Sequence, residues 1–220
     1  MIYDIIRLEV GKEDRHKALN GGYMGKIFCL MGKSSSGKDT IFKLLKKDGK
    51  LNLKPIIPYT TRPIRNNETN GVEYFFIDKQ KLYDFEKSGK IVEKREYNTV
   101  KGIWFYATID DGRINLKEDN YILISTLEAY EHIRKYFGSN NVFPIYITVD
   151  DSTRLERALK REKKEQNPNY NEVCRRFLAD NKDFSEEKLV QNEILRYYIN
   201  NDLEECLEQV RNDILKSINN

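Results

Sequence analysis

The stretch GKSSSGKDT at residues 32–40 follows directly on a short apolar run, IFCLM, at residues 27–31. It nearly completes the pattern G-x-x-x-x-G-K-[ST], in which a strand leads through a glycine-rich loop into a helix. Gly32 and Gly37 allow the backbone to turn sharply, so that the loop N–H groups point inward as a nest for an anion. The positive end of the following helix and the Lys38 ammonium add to the attraction. The stretch therefore predicts a phosphate-binding loop rather than a ligand-free Gly/Ser turn.

Position 39 departs from this pattern. The pattern expects a Ser or Thr whose hydroxyl binds Mg²⁺, but the sequence has Asp39 followed by Thr40. A hard cation accepts carboxylate ligands, and a carboxylate so close to phosphates would repel them without a metal between. We therefore interpret Asp39 as a residue on the metal side of the site. Thr40 is the alternative source of a hydroxyl, in a register shifted by one residue.

Length and composition exclude several classes of protein. A chain of 220 residues fits one domain with room for an inserted subdomain. The 38 basic and 35 acidic residues leave a net charge of +3, which argues against a dedicated nucleic-acid surface. No apolar run approaches the roughly 20 residues of a membrane span, and no signal peptide is evident. Three widely spaced cysteines and two histidines predict free thiols in the cytoplasm and no zinc site.

The hydrophobic pattern alternates between strand and helix periods, which predicts an α/β fold with a mainly parallel central sheet flanked by helices. Strands are predicted at residues 26–31, 56–59, 74–77, 91–97, 103–108, 121–125, 144–149 and 197–199. Helices are predicted at residues 40–47, 79–88, 127–136, 151–165, 171–182 and 203–218.

Three regions stand apart from this alternation. Closely spaced strands with alternating aromatic residues predict a small, mostly antiparallel β insertion within residues 60–108. The highly charged stretch at residues 160–166 predicts a mobile flap in a helical lid that covers residues 151–177. Residues 1–23 form an N-terminal extension without an evident partner. We expect Met24 to be the native start, which would make residues 1–23 a translated upstream region.

A second cluster, TTRPIRNNETNGVEY, lies at residues 60–74. It contains Arg62 and Arg65, three residues apart, followed by Glu68 and Tyr74. Arginine offers forked donors that suit bidentate contact with phosphate. The cluster alone is also compatible with an ordinary polar loop. Beside a phosphate loop, however, it favours two phosphate sites, one for a nucleotide donor and one for a phosphorylated acceptor.

These motifs, GxxxxGK, then TTRxxRxxExxGxxY, then a helical segment rich in arginine, resemble those of the guanylate kinase family. The resemblance covers residues 24–218 and implies a P-loop kinase with an acceptor-binding β insertion and a helical lid. It implies Mg²⁺-dependent transfer of the γ-phosphoryl group of ATP to a nucleoside monophosphate, with GMP giving GDP. ATP and the monophosphate are then the partners, without nucleic acid or membrane, and the protein is a monomer or a homodimer.

The resemblance assigns roles to individual residues. It implies catalytic roles for Lys38, Arg157, Arg161 and Arg176 and metal binding by Asp39 and Thr40. The implied ATP-binding residues are Gly32, Ser34, Ser35, Ser36, Gly37, Lys38, Asp39, Thr40 and Asn200. The implied acceptor-binding residues are Arg62, Arg65, Glu68, Tyr74, Glu93, Tyr106 and Thr108. Among the latter, the two arginines and Tyr74 match residues that hold the acceptor phosphate, and Glu93 matches a glutamate that contacts guanine.

Two departures affect the acceptor base. Pro58 stands where the family has a guanine-contacting serine, and Thr126 stands where it has the second carboxylate of an Asp-x-Asp sequence. Each lost polar contact can cost on the order of 1–3 kcal/mol of discrimination. Because Glu93 remains, we expect GMP to be the best nucleotide acceptor, with weakened discrimination. The alternatives are a kinase for another nucleotide or for ribose 1,5-bisphosphate, and a non-catalytic binding module, which the intact Lys38 disfavours.

Overall fold

A computed structural model describes residues 25–99 and 102–219 of the chain, so the predicted extension at residues 1–23 lies outside the described residues. The strands are β1 (Ile27–Met31), β2 (Leu53–Pro55), β3 (Tyr59–Thr60), β4 (Phe75–Phe76), β5 (Ile91–Thr99), β6 (Gly102–Ile109), β7 (Asn120–Ile124), β8 (Val142–Thr148) and β9 (Tyr197–Ile199). The helices are α1 (Lys38–Lys47), α2 (Lys79–Lys87), α3 (Leu127–Phe137), α4 (Asp151–Glu162), α5 (Tyr170–Asp183), α6 (Glu186–Gln191) and α7 (Leu203–Asn219).

The main sheet is parallel and has the strand order β2-β7-β1-β8-β9. Strand β1 lies at its centre, and its side chains alternate between two separate apolar clusters. Cys29 and Met31 pack in the cluster that includes residues of α3, whereas Phe28 and Leu30 pack with residues of α1 and α7. A strand that is buried on both faces reads as a continuous apolar run, as residues 27–31 do.

The second sheet is smaller and has the order β4-β3-β6-β5. Strand β3 pairs in parallel with β4 and antiparallel with β6, which in turn pairs antiparallel with β5. Tyr59, Ala107 and Ile109 form the core of one face together with Leu82 of α2. The predicted α/β architecture, with a mainly parallel sheet and a small β insertion, is therefore confirmed. The insertion, predicted to be mostly antiparallel, also contains one parallel pair, β3 with β4.

Some of the predicted boundaries are wrong. Residues 56–59 do not form one strand, because β2 ends at Pro55 and β3 begins at Tyr59, so that the chain passes between the two sheets at residues 56–58. Pro58 lacks a backbone N–H and cannot extend a ladder of hydrogen bonds. Helix α4 ends at Glu162 rather than at residue 165. Helix α6 was not predicted, since six residues are too few to display a helical period.

None of the helices described within residues 25–99 and 102–219 is long and apolar enough to span a membrane.

Candidate functional site

The loop between β1 and α1 has a backbone that requires both of its glycines. Gly32 and Gly37 have φ values of 154° and 92°. A Cβ atom on Gly37 would lie 2.1 Å from Nδ2 of Asn200, and one on Gly32 would lie 2.3 Å from the carbonyl oxygen of Ile147. The glycines of the motif therefore allow the loop to turn and to lie against the neighbouring strand ends.

The loop carries groups that suit a bound anion. The hydroxyls of Ser35 and Ser36 are buried and have no hydrogen-bond partner among the described residues. Ser35 has a left-handed φ of 65°, and alternation of left- and right-handed residues is the backbone geometry of an anion nest. The N–H groups of Lys38 and Asp39, the first two residues of α1, have no carbonyl one turn earlier in the helix to bond to, whereas that of Thr40 donates to the Gly37 carbonyl over 3.0 Å. The donor set of residues 32–40 therefore fits a polyphosphate.

Lys38 and Asp39 open helix α1 next to this loop. The Lys38 ammonium donates to Oδ2 of Asp39 over 3.2 Å, and the Asp39 side chain is largely exposed, as is Thr40. A carboxylate in the first turn is favoured by the helix dipole. The described residues contain no group of three His, Cys, Asp or Glu that could hold a metal by themselves. Any Mg²⁺ held by Asp39 or Thr40 would therefore share its coordination with phosphate oxygens and water, as this ion usually does.

Asn200, which the resemblance places at the ATP site, is buried and supports the phosphate loop. Its Nδ2 donates to the carbonyl of Ser36 over 2.7 Å, and its own N–H donates to the carbonyl of Thr148 over 2.7 Å. The Asn200 carbonyl accepts from Nη2 of Arg157 over 3.1 Å. Asn200 therefore connects the phosphate loop, the end of β8 and the first of the lid arginines.

Of the three predicted lid arginines, one lies next to the phosphate loop in the structure. Arg157 lies against it through Asn200, whereas Arg161 is exposed on α4. Arg176 is also exposed, and its Nε donates to Oε1 of Glu172 over 2.7 Å. The hydrogen bond from Arg175 and then that from Arg176 lower the pKa of Glu172 to about 2. In this structure Arg161 and Arg176 lie on the solvent side of the lid helices.

A residue that the sequence did not single out, Arg154, joins the lid to the phosphate loop. It is only 2% exposed, and its Nη1 donates to Oδ2 of Asp180 over 3.2 Å. The same Oδ2 accepts the Ser34 N–H over 2.8 Å. Nη2 of Arg154 donates to Asn181, which also accepts from the Lys33 ammonium over 2.8 Å. A buried arginine on one lid helix therefore orients two α5 side chains that hold the start of the loop.

Replacing Arg154 with methionine should lower the free energy of unfolding by roughly 2–3 kcal/mol. The loss should be smaller than the ~3–5 kcal/mol typical of a broken buried pair, because Asp180 and Asp151 retain some contact with water. Urea unfolding of Arg154→Met measures the loss, with the exposed Arg161→Met on the same helix as control. A control of this kind usually changes stability by less than about 0.5 kcal/mol. Equal losses in the two variants would contradict the structural role of Arg154.

The arginine clamp predicted at residues 60–74 is organised around Arg62, which is 3% exposed. Its Nη1 and Nη2 donate to the two carboxylate oxygens of Glu68 over 2.9 and 2.8 Å, and its Nε donates to the Tyr106 hydroxyl over 3.1 Å. The bond with Arg62 lowers the pKa of Glu68, which also accepts the backbone N–H of Arg65. Glu68 therefore fixes the clamp, and the exposed Arg65 side chain stands at its rim.

Aromatic rings enclose the clamp. The Tyr74 and Tyr106 rings pack edge to face at 5.5 Å between centroids, and Tyr97 packs against Tyr106 at 5.3 Å. The Arg62 guanidinium lies 5.5 Å from the centroids of both Tyr74 and Phe76. Burial raises the pKa of the Tyr74 hydroxyl. The predicted residues Arg62, Tyr74 and Tyr106 are therefore brought into one cluster.

Glu93, predicted at the acceptor base, and Thr108, predicted at the acceptor site, meet on the same face of the small sheet. Glu93 is 4% exposed, and its Oε1 accepts from the Thr108 hydroxyl over 2.8 Å. Arg95, which the sequence did not single out, donates from Nε to Oε2 of Glu93 over 3.0 Å and from Nη2 to Oε1 over 3.4 Å. The signal that could have found it is the two-residue spacing from Glu93, because residues i and i+2 of a strand share a face.

The two positions that depart from the family pattern have structural roles. The Thr126 hydroxyl caps helix α3 by accepting the Ala129 N–H over 3.2 Å. The carbonyl of Pro58 accepts the N–H of Phe75 over 2.9 Å and so joins the ends of β3 and β4. Their polar groups are therefore engaged with the backbone.

Comparisons with known proteins show what this chain is similar to. The guanylate kinase family model matches residues 24–217. A guanylate kinase of Mycoplasma mobile is 32% identical over 199 residues, covering 88% of this chain and 94% of that protein. One of Mesomycoplasma hyopneumoniae is 28% identical over 202 residues, with 89% and 96% covered.

The fold is also similar to a solved structure. The crystal structure of guanylate kinase from Anaplasma phagocytophilum superposes with a TM-score of 0.56 at 21% identity, covering 89% of this chain and 87% of that one. The family model spans both the phosphate loop and the arginine clamp. The chain therefore belongs to the guanylate kinase family of nucleoside monophosphate kinases.

Proposed function

We propose that this protein transfers the γ-phosphoryl group of ATP to GMP, giving ADP and GDP, with Mg²⁺ as cofactor. The observation that carries the proposal is the buried, pre-oriented Arg62, held by Glu68 and Tyr106 in a chain that also has a phosphate loop. One anion site for the donor and another for the acceptor phosphate are what such a transfer needs. The unpaired cysteines suit a reducing cytoplasm, where we place the reaction.

On the donor side, loop N–H groups within residues 35–40 bind the phosphate chain and Lys38 neutralises its terminal part. Bound Mg²⁺ would supply further charge neutralisation between phosphate oxygens. Arg157, whose Nη2 donates to the carbonyl of Asn200 beside the loop, is the lid arginine best positioned to contact the transferred group. Arg161 and Arg176 would join it when the lid closes and excludes water, as lids do in many transferases.

On the acceptor side, Arg62, Arg65 and Tyr74 bind the phosphate of GMP and orient it in line with the donor. Glu93 and Thr108 lie deeper in the insertion and bind the base. No general base is required, because the attacking phosphate oxygen is already an anion. Catalysis is then mainly positioning and electrostatic stabilisation, which is typical of phosphoryl transfer.

An ADP-release assay with a panel of acceptors tests the proposal. The panel contains GMP, AMP, UMP, CMP and ribose 1,5-bisphosphate, each with Mg²⁺ and again after chelation with EDTA. We expect the highest kcat/KM for GMP, at least about tenfold above AMP, and loss of turnover with EDTA. Preference for ribose 1,5-bisphosphate or another nucleotide would assign a different acceptor. ATP binding without turnover on any acceptor would indicate a binding module.

A further inference from the structure

Arg95 occupies the centre of the face of the small sheet that carries Glu93, Thr108 and Tyr106, which we call the acceptor face. In the pairing of β5 with β6, Glu93 lies opposite Thr108 and Arg95 lies opposite Tyr106. Paired residues on neighbouring strands share a face, and the other face of this sheet packs on α2. Tyr106 also accepts from Nε of Arg62. Arg95 therefore lies between the phosphate clamp and the buried Glu93.

The guanidinium of Arg95 has donors that Glu93 does not use. An arginine carries five N–H donors, and Glu93 engages the one on Nε and one on Nη2. The Tyr97 hydroxyl interacts with the same guanidinium. The Arg95 side chain is 18% exposed, whereas that of Glu93 is 2% exposed, so the guanidinium reaches toward the opening of the cluster. It can therefore donate to a ligand while it holds Glu93.

We propose that Arg95 determines specificity by donating to the ring carbonyl of the acceptor base, while Glu93 accepts from the adjacent ring N–H. The proposal rests on the proposed function and narrows the substrate class to monophosphates whose base has a carbonyl beside a ring N–H. Guanine and hypoxanthine have this edge. Adenine presents an amino group and an unprotonated nitrogen instead, which would face the guanidinium and the carboxylate with the wrong polarity.

Arg95 and Glu93 together can also compensate for the two polar residues that the chain lacks at the base. Pro58 has no polar side chain, and the Thr126 hydroxyl, which accepts the Ala129 N–H, lacks the negative charge and the second oxygen of the family's carboxylate. Arg95 and Glu93 supply one donor and one acceptor, the minimum that distinguishes a lactam edge from an amidine edge. A site that hydrogen-bonds its substrate rejects analogues that leave such buried groups unpaired.

The test compares Arg95→Met with Arg95→Lys and the wild type, using kcat/KM for GMP, IMP and AMP. Arg95→Met should lower kcat/KM roughly 10- to 100-fold for GMP and for IMP, mainly through KM, and change the value for AMP by less than about threefold. Arg95→Lys, which keeps a donor, should restore part of the loss. The control is Lys94→Met, on the opposite face of the same strand, which should leave the GMP/AMP ratio unchanged.

Equal losses for GMP, IMP and AMP would overturn the inference, since they indicate that Arg95 only supports the sheet. A loss for GMP but not for IMP would overturn it too, because the contact would then involve the amino group. The KM for ATP and the unfolding midpoint of each variant exclude a general folding defect. A wild type inactive on GMP would refute the proposed function instead, whatever Arg95 does.

Discussion

Replacement of Lys38 by alanine should lower kcat for phosphoryl transfer by roughly 10²–10³-fold while the protein stays folded. Lys38 is the cation next to the proposed phosphate site, and its ammonium donates to Asp39 in the structure. Because Asp39 is largely exposed, loss of this ion pair should change stability little. The expected signature is a large fall in turnover together with an unchanged unfolding midpoint.

The matched control is Lys43→Ala, which removes an exposed lysine from the same helix. Initial-rate measurements with saturating GMP and varied ATP separate an effect on kcat from one on the KM for ATP. If Lys38→Ala turned over at the rate of the control, the assignment of residues 32–40 as the donor phosphate site would be wrong.

The second large effect is expected at the arginine clamp, where the two arginines should behave differently. Each substitution by alanine removes charge-assisted hydrogen bonds to the acceptor phosphate that are worth about 1.5–3 kcal/mol. Arg62→Ala and Arg65→Ala should therefore each raise the KM for GMP roughly 10- to 100-fold. Arg62→Ala should also destabilise the fold, because Glu68 loses its bidentate partner. Arg65 is exposed, so its removal should leave stability unchanged.

Kinetics with each substrate varied in turn, together with urea unfolding, test this difference. The KM for ATP should stay near its wild-type value in both variants, because the clamp is built on the small sheet and the donor loop on the main sheet. A raised KM for ATP with an unchanged KM for GMP would reverse the assignment of the two sites.

Much of the fold and of the candidate site could be predicted from short stretches of the sequence. The phosphate loop follows from the spacing of Gly32, Gly37 and Lys38 within a few residues, and the backbone angles of both glycines agree with it. The alternation of apolar strands with amphipathic helices indicated a parallel sheet, because that arrangement buries strands on both faces. Arg62 and Arg65 could be predicted to form a phosphate clamp because their shared chemistry lies within one short motif, and that role stays a prediction.

Other features depend on contacts between residues far apart in the chain. Asn200 contacts the carbonyl of Ser36, 164 residues away, and Asp180 binds the N–H of Ser34, 146 residues away. Nothing in the spacing of these residues indicates such pairs, because packing of whole elements brings them together. The burial of Arg154 could not be predicted from the sequence either, since an arginine in a charged helix normally faces solvent.

The sequence by itself predicted the ligand chemistry: a nest for phosphate, a lysine beside it and a pair of arginines for a second phosphate. These predictions depend on residue type and short spacing, because the backbone of a loop or turn brings residues that are close in sequence into one site. Only the tertiary structure decided which groups remain for a substrate. The Thr126 hydroxyl caps helix α3, whereas Arg95 lies beside Glu93 on the acceptor face. That division depends on which face of a strand or end of a helix is buried, and it exists only once the elements have packed.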